Sequence, residues 1–454
     1  MLRCVFLAGL AVVLVGCSTP LKEYTCVNAE DCVGSTEGRC EPSGHCSFAD
    51  DMCPDGFRFG EASGSESGVC VGEGAGLPDA STDPDGPSGP DAASSAWRQR
   101  HRLDFNNLGH AEDLVDFPVL VVLTTDTVDY SLMQSAGQDL RFTNPGGDVQ
   151  LPYEIELWDP LGTSYVWVKP EQIDASSDTD HIYVYYNNPD AADGQNASAV
   201  WSNGYEAVYH LGESGETYAN SAGPMNGGNN SGTTSGAGVI GTGRVFDGLG
   251  KYIKLNNGNP VTMAQGATGV TLTAWVHPLD LGPRQALVSL SVGGGPCVST
   301  SRAALLFSQA GQQDELLTVG RSTDEEGSTI RTTSGMNVNE GEWSLLSTVI
   351  DFDHEHNEDA GKPYGRITSV ANDTEEVETA RFTEAATANT PSACGSIGAQ
   401  EDASGDFFEG MIDEVRISSV DRTTTWLQAQ YQSMQNNDYV RFGAAEIVDE
   451  DFGN

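Results

Sequence analysis

Residues 270–276 have the sequence VTLTAWV, with an apolar side chain at every second position. Because successive side chains of a β-strand point to opposite faces, this alternation predicts a strand that lays one face on a hydrophobic core. Residues 343–350, WSLLSTVI, follow the same pattern. Such strands are typical of antiparallel β-sandwiches, in which one face of each sheet is buried.

Further strand signals flank these two, at residues 251–255 (KYIKL) and 408–418 (FEGMIDEVRIS). The glycines in the turn 248–250 suit a hairpin. A short helix is predicted over 423–434, with Trp426, Leu427 and Tyr431 on one face. Residues 202–446 are therefore predicted to form one large β-sandwich.

Residues 97–201 carry their own series of short strand signals, bounded by Gly, Pro, Asn or Asp. These signals are FPVLVVL (117–123), DLRFT (139–143), EIELW (154–158), YVWVK (165–169) and HIYVYY (181–186). Several alternate with a period of two, which again predicts an antiparallel sandwich. The predicted fold class is all-β, with two antiparallel β-sandwich domains.

Both predicted sandwiches resemble known bacterial families. The motifs DLRF (139–142), LPYEIE (151–156), VWVK (166–169) and IYVYYNN (182–188) resemble a domain of unknown function that usually precedes a laminin-G-like domain in surface proteins. The motifs YHLGE (209–213) and IDEVRIS (412–418) resemble the concanavalin A-like, laminin-G-like jelly roll. The resemblance implies a jelly roll for the second sandwich and a surface protein as a whole.

The N-terminus predicts the compartment. Residues 1–16 read as a secretory signal peptide with a short apolar run, and residues 14–17 (LVGC) resemble a bacterial lipobox. That resemblance implies that Cys17 is lipidated, and that Ser18 directs the protein towards the outer membrane. We expect a lipid anchor to attach the chain to the membrane at the outer membrane or cell surface. The alternative is an ordinary signal peptide with a chance cysteine.

The remaining cysteines suit an exported protein. Six of them lie in a segment at 17–70 that has too few large apolar residues to form a core, so we expect a small disulfide-rich module whose pairing stays open. These six are Cys26, Cys32, Cys40, Cys46, Cys53 and Cys70. Zinc binding is the alternative, although the cluster contains one histidine and no CxxC. We predict that Cys297 pairs with Cys394; two separate buried thiols are the alternative.

A Pro-, Gly-, Ser- and Asp-rich linker at 71–96 is predicted to be an extended spacer, and residues 447–454 form an acidic tail. The chain has 22 Lys and Arg against 66 Asp and Glu, a formal net charge of −44. Nucleic-acid binding requires a positive surface, so this charge excludes nucleic acid as a partner. It favours attraction of cations.

A structural Ca²⁺ is the expected cofactor, because hard oxygen ligands abound and many laminin-G-like relatives carry one. The resemblance places Asp413, Glu213 and Asn220 as candidate ligands, although the family more often has Asp where Asn220 stands. The alternative is that Asp413 and Glu414 end a strand and pair with Arg416.

The predicted function is binding of a glycan or an envelope partner protein through the β-sandwiches. The alternatives are a glycan-degrading enzyme and a structural envelope lipoprotein without a discrete ligand. A glycosidase requires two carboxylates beside the scissile bond. Glu154 and Glu156 come nearest, because they would share one face of a strand, but they fit the first domain's own motif. No catalytic activity is expected, and the sequence alone identifies no ligand-binding residue.

Overall fold

The structure is a computed structural model of the chain, which divides into two compact units, 1–86 and 87–454. It describes residues 26, 32, 38–41, 45–49, 57–59, 71, 97–223, 228–255, 267, 269–282, 284–292, 301–309, 312–321, 328–333, 338–355, 363–380, 394–400 and 402–448. The predicted signal peptide, Cys17 and nearly all of the linker lie outside these residues. No helix in the described ranges has the length and hydropathy needed to span a membrane.

The first unit is held by disulfides, as predicted. Cys26 pairs with Cys40, and Cys32 pairs with Cys46, which settles part of the pairing that the sequence left open. Cys53 and Cys70 lie outside the described residues. A three-stranded antiparallel sheet accompanies the bridges, in the order β1 (Arg39–Cys40), β2 (Cys46–Ala49), β3 (Phe57–Phe59).

The first sandwich begins the second unit and consists of short antiparallel strands. One sheet has the order β28-β4-β12-β7-β8, in which β28 is the C-terminal strand Val440–Ile447. A second sheet has the order β6-β10-β9, and β5 pairs with β11. Its elements are β4 (Gln99–Phe105), β5 (Leu114–Val115), β6 (Val119–Thr124), a 3₁₀ turn (Tyr130–Leu132), β7 (Arg141–Thr143), β8 (Gln150–Leu151), β9 (Tyr153–Leu157), β10 (Thr163–Val168), β11 (Gln172–Ile173), β12 (His181–Tyr186) and α1 (Ala197–Val200).

The DLRF and NN motifs of this domain meet at a buried carboxylate. Asp139 is fully buried and accepts hydrogen bonds from the backbone N–H of Gln134 (2.8 Å), Asn187 (2.9 Å) and Asn188 (3.2 Å). Three N–H donors compensate the cost of burying the carboxylate. Asp139 therefore ties the segment before β7 to the end of β12.

The second sandwich packs an eight-stranded sheet against a seven-stranded sheet. The first has the order β15-β16-β27-β18-β23-β24-β25, with β13 also paired to β27, and the second has the order β14-β17-β26-β19-β20-β21-β22. Its strands are β13 (Tyr205–Tyr209), β14 (Gly228–Ser231), β15 (Thr234–Ala237), β16 (Thr242–Asp247), β17 (Tyr252–Leu255), β18 (Gly269–Pro278), β19 (Gln285–Val292), β20 (Ser301–Gln309), β21 (Gln312–Arg321), β22 (Ser328–Thr333), β23 (Ser344–Glu355), β24 (Pro363–Ala371), β25 (Thr374–Ala380), β26 (Cys394–Ile397) and β27 (Glu409–Ser418). The all-β prediction is thereby confirmed.

Strand β18 of the eight-stranded sheet has buried residues on both of its faces. Its alternate residues Val270, Leu272 and Val276 lie in the core between the two sheets, as the sequence predicts. The intervening residues Thr271 and Trp275 are also buried, at 2% and 1% exposure. Strand β18 is thus buried on both faces.

Helix α2 (Thr424–Gln435) covers the outer face of that sheet, one residue displaced from the predicted span. The Thr423 hydroxyl caps it by accepting from the N–H of Trp426 (3.1 Å). The Trp426 ring packs edge-on against Phe117 of the first sandwich, with centroids 4.9 Å apart. One continuous hydrophobic cluster therefore spans the first sandwich, α2 and the outer face of the second.

Two local expectations were wrong. The turn at 248–250 joins β16 to β17, which lie in different sheets, so it is an arch between sheets and not a hairpin. Asp247 organises this arch by accepting from the N–H groups of Leu249, Gly250 and Lys251. A glycine-rich turn fits either connection, because local backbone freedom does not choose the partner strand.

The predicted end of the second sandwich at 446 also requires correction. Strand β28 (Val440–Ile447) pairs antiparallel with β4, so it completes a sheet of the first sandwich. The chain thus returns to its first domain after building its second. Cys394 is disulfide-bonded, while its predicted partner Cys297 lies outside the described residues.

Candidate functional site

The predicted calcium ligands are held by backbone groups. Asp413 on β27 accepts from the N–H of Val239 (2.7 Å) and Ile240 (3.2 Å) through Oδ2. Its Oδ1 is buried without a hydrogen-bond partner in the described chain, and the same holds for Oε2 of Glu213. Asn220 is committed elsewhere, because its Oδ1 accepts from two backbone N–H groups. Two of the three predicted ligands therefore retain an unused oxygen.

A second acidic cluster lies where the two sandwiches meet. His210 directly follows β13, and Glu414 on β27 lies 2.6 Å from its Nδ1. Glu156 approaches the same nitrogen to 3.2 Å, and Glu154 approaches Nε2 to 3.3 Å. Glu154 and Glu156 both belong to β9 and share one face, as the strand alternation predicts. His210 thus links carboxylates from both sandwiches.

The two glutamates of the first sandwich are also held by buried donors. The indole Nε1 of Trp201 donates to Glu154 (2.6 Å), and that of Trp167 donates to Glu156 (2.7 Å). The Ser221 hydroxyl donates to the other oxygen of Glu154 (2.6 Å). The two indole rings pack against each other, with centroids 5.2 Å apart. Each carboxylate is therefore oriented by neighbours as well as by His210.

Arg416 completes the cluster. Its guanidinium donates to Glu414 (2.9 Å) and lies over the rings of Trp167 (4.4 Å) and Trp201 (4.8 Å). A guanidinium loses less by desolvation than an ammonium and stacks well on indole faces. Glu414 therefore pairs with Arg416, as one part of the sequence-based alternative predicts, whereas Asp413 accepts from backbone N–H groups.

Burial and mutual charge shift the pKa values of this cluster in opposite directions. Burial disfavours protonation of His210, but Glu414, Glu156 and Glu154 outweigh it and raise the His210 pKa well above 6.5. Burial also opposes ionisation of Glu414, yet contact with His210 lowers its pKa to about 2. Burial and the charge of Glu414 raise the pKa of Glu156, and the same two causes raise that of Asp413.

These directions favour an imidazolium at His210 beside ionised Glu414 and Glu154. An imidazolium donates from both nitrogens, which suits one carboxylate on each side of the ring. Arg416 adds a second cation to the buried carboxylates. The cluster is thus arranged as a buried clamp between the sandwiches.

The same cluster contains a possible metal-ligand set within the described residues. Ligand atoms of Glu156, His210 and Glu414 all lie within 4.8 Å of one another. This mixed nitrogen and oxygen set differs from the all-oxygen shell that calcium prefers. The sulfurs of Cys26, Cys32 and Cys46 also lie close together, but they are committed to disulfides.

A cleft lies in the first sandwich, away from the predicted residues. It has a volume of about 860 Å³. One wall is the 125–132 segment that follows β6, and the other comes from β4, β12 and the C-terminal strand β28. The register of β28 against β4 shifts between Phe442 and Ala445, so the strand bulges where it borders the cleft.

Three aromatic residues border one side of this cleft, of which Phe442 is half-buried while Tyr186 and His101 are buried behind it. Tyr186 stacks on His101 with centroids 5.8 Å apart, and Phe442 meets His101 edge-on at 5.9 Å. His101 Nδ1 lies 2.9 Å from the carbonyl of Gly443, and its Nε2 lies 3.1 Å from the Tyr186 hydroxyl. Since a carbonyl only accepts, the neutral ring is protonated at Nδ1 and accepts from Tyr186. The base of the cleft is therefore rigid.

The opposite rim is polar and exposed. It presents hydroxyl and carboxylate groups of Thr125, Asp126, Asp129 and Ser131. Asp129 is partly committed, because it accepts from the Ser131 N–H and hydroxyl. Asp126 has no side-chain hydrogen bond within the described chain. In this cleft the half-buried ring of Phe442 therefore lies opposite a rim of hydrogen-bonding groups.

Sequence reasoning identified neither His210 nor the cleft. The tyrosines and tryptophans of the predicted strands were visible, but aromatic residues in strands are most often core residues. Trp201 and Tyr218 are fully buried and offer no sugar-stacking surface. The cleft combines residues from positions 101, 186 and 442, which no local pattern connects.

Comparison with known families confirms the predicted order of domains. Residues 136–220 match the model of a domain of unknown function, DUF2341. Residues 246–428 match the model of the concanavalin A-like lectin/glucanases superfamily. A search of curated proteins finds no significant match.

Several solved structures are similar to part of the chain at low identity. Domain 4 of AbnA, a GH43 extracellular arabinanase from Geobacillus stearothermophilus solved in complex with arabinotriose, has 15% identity and a TM-score of 0.36, and the match covers 50% of this chain and 98% of that one. The receptor binding domain of botulinum neurotoxin mosaic serotype C/D has 7% identity and a TM-score of 0.36, with 51% of each chain covered. The receptor binding domain of botulinum neurotoxin type G has 9% identity and a TM-score of 0.35, again with 51% of each covered. The chain thus spans about half the length of the neurotoxin domains.

Proposed function

We propose that this chain, a DUF2341 domain joined to a concanavalin A-like lectin/glucanase domain, is a glycan-binding protein displayed at a bacterial surface. The glycan lies in the cleft of the first sandwich, between the ring of Phe442 and the rim of Thr125 and Asp126. The lectin-like superfamily of the second domain supports the ligand class. The shape and chemistry of the cleft support the proposed position of the glycan.

The single observation that carries this proposal is the chemistry of the cleft walls. Sugar rings have apolar faces that pack on aromatic side chains and hydroxyl edges that require hydrogen-bond partners. The half-buried ring of Phe442 opposite a rim of hydroxyls and carboxylates offers both. The volume of about 860 Å³ lies near the upper end of the roughly 300–1,000 Å³ range of ligand sites, so the cleft has room for more than one sugar unit.

The negative charge of the cleft rim and of the whole chain disfavours anionic glycans. Asp126 and Asp129 are on the rim, and the chain has a formal net charge of −44. This field repels polyanions at a distance. Neutral glycans, or glycans with basic groups, are therefore the expected ligands.

Display at the surface rests on the sequence. Lipidation of Cys17 would anchor the chain, and the linker at 71–96 would hold the two sandwiches away from the membrane. Binding a glycan away from the membrane requires no catalysed reaction, which agrees with the proposal that the protein is not an enzyme. Glu154 and Glu156, the expected candidates for catalysis, are engaged in the junction cluster with His210.

Calcium is proposed as a structural ion in the second sandwich. Asp413 and Glu213 each have a buried, unpartnered carboxylate oxygen, which is the kind of ligand that calcium prefers. Bound calcium would favour the ionised form of Asp413, whose pKa burial and Glu414 otherwise raise. It would thereby stiffen the strand that carries Glu414.

A glycan array followed by calorimetry on the full chain tests the function. The variant Asp126→Ala removes one exposed rim group, and Asp148→Ala removes an exposed aspartate outside the cleft. We expect the first to weaken binding of the array's hits by about tenfold, which corresponds to one hydrogen bond to a charged group. The control variant should bind as the parent does. Silence across a broad array, or equal binding by both variants, would contradict the proposal.

A further inference from the structure

A second, smaller pocket lies where helix α2 meets the first sandwich. It has a volume of about 320 Å³ and shares no lining residue with the cleft. One side comes from the segment after β4, and the other from α2 and the turn between β24 and β25. Its lining residues are Asn106, Gly109, His110, Asp373, Gln428, Gln432, Asn436 and Tyr439.

Side-chain amides dominate this lining. Gln428, Gln432 and Asn436 are spaced four residues apart, so they form one polar stripe along α2. Gln428 donates to the carbonyl of Asp373 (2.9 Å), which leaves its own carbonyl oxygen to accept. The side-chain amides of Gln432 and Asn106 make no hydrogen bond within the described chain. The pocket therefore holds several unused donors and acceptors.

Tyr439 supplies an independent sign of a ligand. It is 1% exposed and forms part of the pocket wall, yet its hydroxyl has no hydrogen-bond partner in the described chain. A buried hydroxyl without a partner is unfavourable, whereas a ligand hydroxyl in the pocket would provide one. The His110 ring lies 6.5 Å from the Tyr439 ring, with Nδ1 committed to Asn107 and Nε2 free of any described partner.

The pocket is neutral except for one carboxylate. Burial raises the pKa of Tyr439 and lowers that of His110, so both are uncharged near neutral pH. Asp373, on the exposed side of the pocket, is then the charged lining residue. A carboxylate accepts hydrogen bonds from the hydroxyl groups of a ligand, but it repels an anionic ligand.

We propose that this pocket binds a single neutral sugar unit, held by the amide stripe of α2, Asp373 and the Tyr439 hydroxyl. A side-chain amide both donates and accepts hydrogen bonds, and so does a sugar hydroxyl, so the two groups are complementary. The volume is near the lower end of ligand sites, so it suits one sugar ring and not a chain. The choice of ligand class rests on the proposed glycan-binding function, while the site is separate from the cleft.

The pocket lies between the two sandwiches, so a bound ligand should stabilise their contact. Its walls come from both sandwiches, because Asn106 and His110 belong to the first and α2 covers the second. A ligand that contacts both walls stabilises their contact, since it binds the folded junction and not the unfolded chain. Occupancy should therefore raise the melting temperature of the full chain.

The test is saturation-transfer NMR and thermal melting of the full chain with D-glucose, D-galactose, D-mannose, L-arabinose and N-acetylglucosamine, each alone. Gln432→Ala removes one pocket amide, and Gln435→Ala is the matched control on the same helix, outside the pocket. Tyr439→Phe removes only the unpartnered hydroxyl, so it should leave the stability of the free protein unchanged or slightly higher. We expect at least one sugar to bind, about tenfold more weakly to the first and third variants than to the control.

The outcomes separate this site from the cleft. If the parent binds none of these sugars, or if Gln432→Ala and Tyr439→Phe bind as the control does, the pocket proposal is wrong. Array binding that is weakened by Asp126→Ala would survive that failure, because it reports on the cleft. Conversely, monosaccharide binding that is sensitive to Gln432 but not to Asp126 would support the pocket even if the array found no polysaccharide.

Discussion

Replacing His210 by glutamine should destabilise the junction between the two sandwiches. The variant keeps a neutral hydrogen-bonding side chain but removes the cation that lies within 3.3 Å of Glu154, Glu156 and Glu414. Removing one partner of a buried ion pair typically costs about 3–5 kcal/mol, because the remaining charges stay buried without compensation. We expect the free energy of unfolding to fall by roughly that amount.

The loss should depend on pH with a defined sign. The pKa of His210 is raised in the folded state, so its contribution is fully present below about pH 6.5 and is lost as pH rises through the folded value. The pKa values of Glu154 and Glu414 are lowered, so their contribution is present above about pH 4.5 and is lost as pH falls, towards about 2 for Glu414. The difference between parent and variant should therefore be largest between these limits.

Urea unfolding from acidic to alkaline pH, followed by tryptophan fluorescence, measures this difference. Trp167 and Trp201 lie in the cluster, so their emission reports on the junction itself. His181→Gln is the control, because His181 lies on β12, outside the cluster. A difference below about 1 kcal/mol, the scale of an exposed ion pair, or one that stays flat with pH, would refute the clamp.

Further predictions address the anchor, the cleft, the last strand and calcium. Cys17→Ala should abolish fatty-acid labelling of the chain, and equal labelling of variant and parent would contradict the lipid anchor. Asp126→Ala should weaken glycan binding while Asp148→Ala does not, as measured by calorimetry. Deleting residues 440–447 should expose the β4 edge and open the first sandwich, which limited proteolysis would detect as new cleavage there. Calcium at a hundredfold excess over Kd should add about 2.7 kcal/mol to the free energy of unfolding of the parent, and so raise its melting temperature. The melting temperature of Asp413→Asn should not change. An unresponsive parent would end the calcium proposal.

The fold class was accessible from the sequence because each strand carries its own local signal. Alternation in VTLTAWV (270–276) required only that a strand has two faces. The domain order followed from short motifs, and the family matches confirm it. Helix α2 was likewise predicted from local spacing, although its cap Thr423 was counted as the first helical residue.

The junction cluster was accessible only in part. That Glu154 and Glu156 share a face follows from strand geometry, and the pairing of Glu414 with Arg416 was one of the sequence-based alternatives. That both glutamates meet His210 does not follow, because they lie 56 and 54 positions away from it in the chain. Burial then decides the charge states, and burial is a property of the packed domains.

The sequence by itself determined that this chain is all-β, that it carries paired cysteines in an N-terminal module, and that it has a large acidic excess. These conclusions depend on composition and on patterns a few residues long. Only the tertiary structure decided that β28 returns to pair with β4 and that both faces of β18 are buried. The same packing forms the cleft and the α2 pocket, because each requires side chains brought together over hundreds of residues, and no local pattern encodes such a contact.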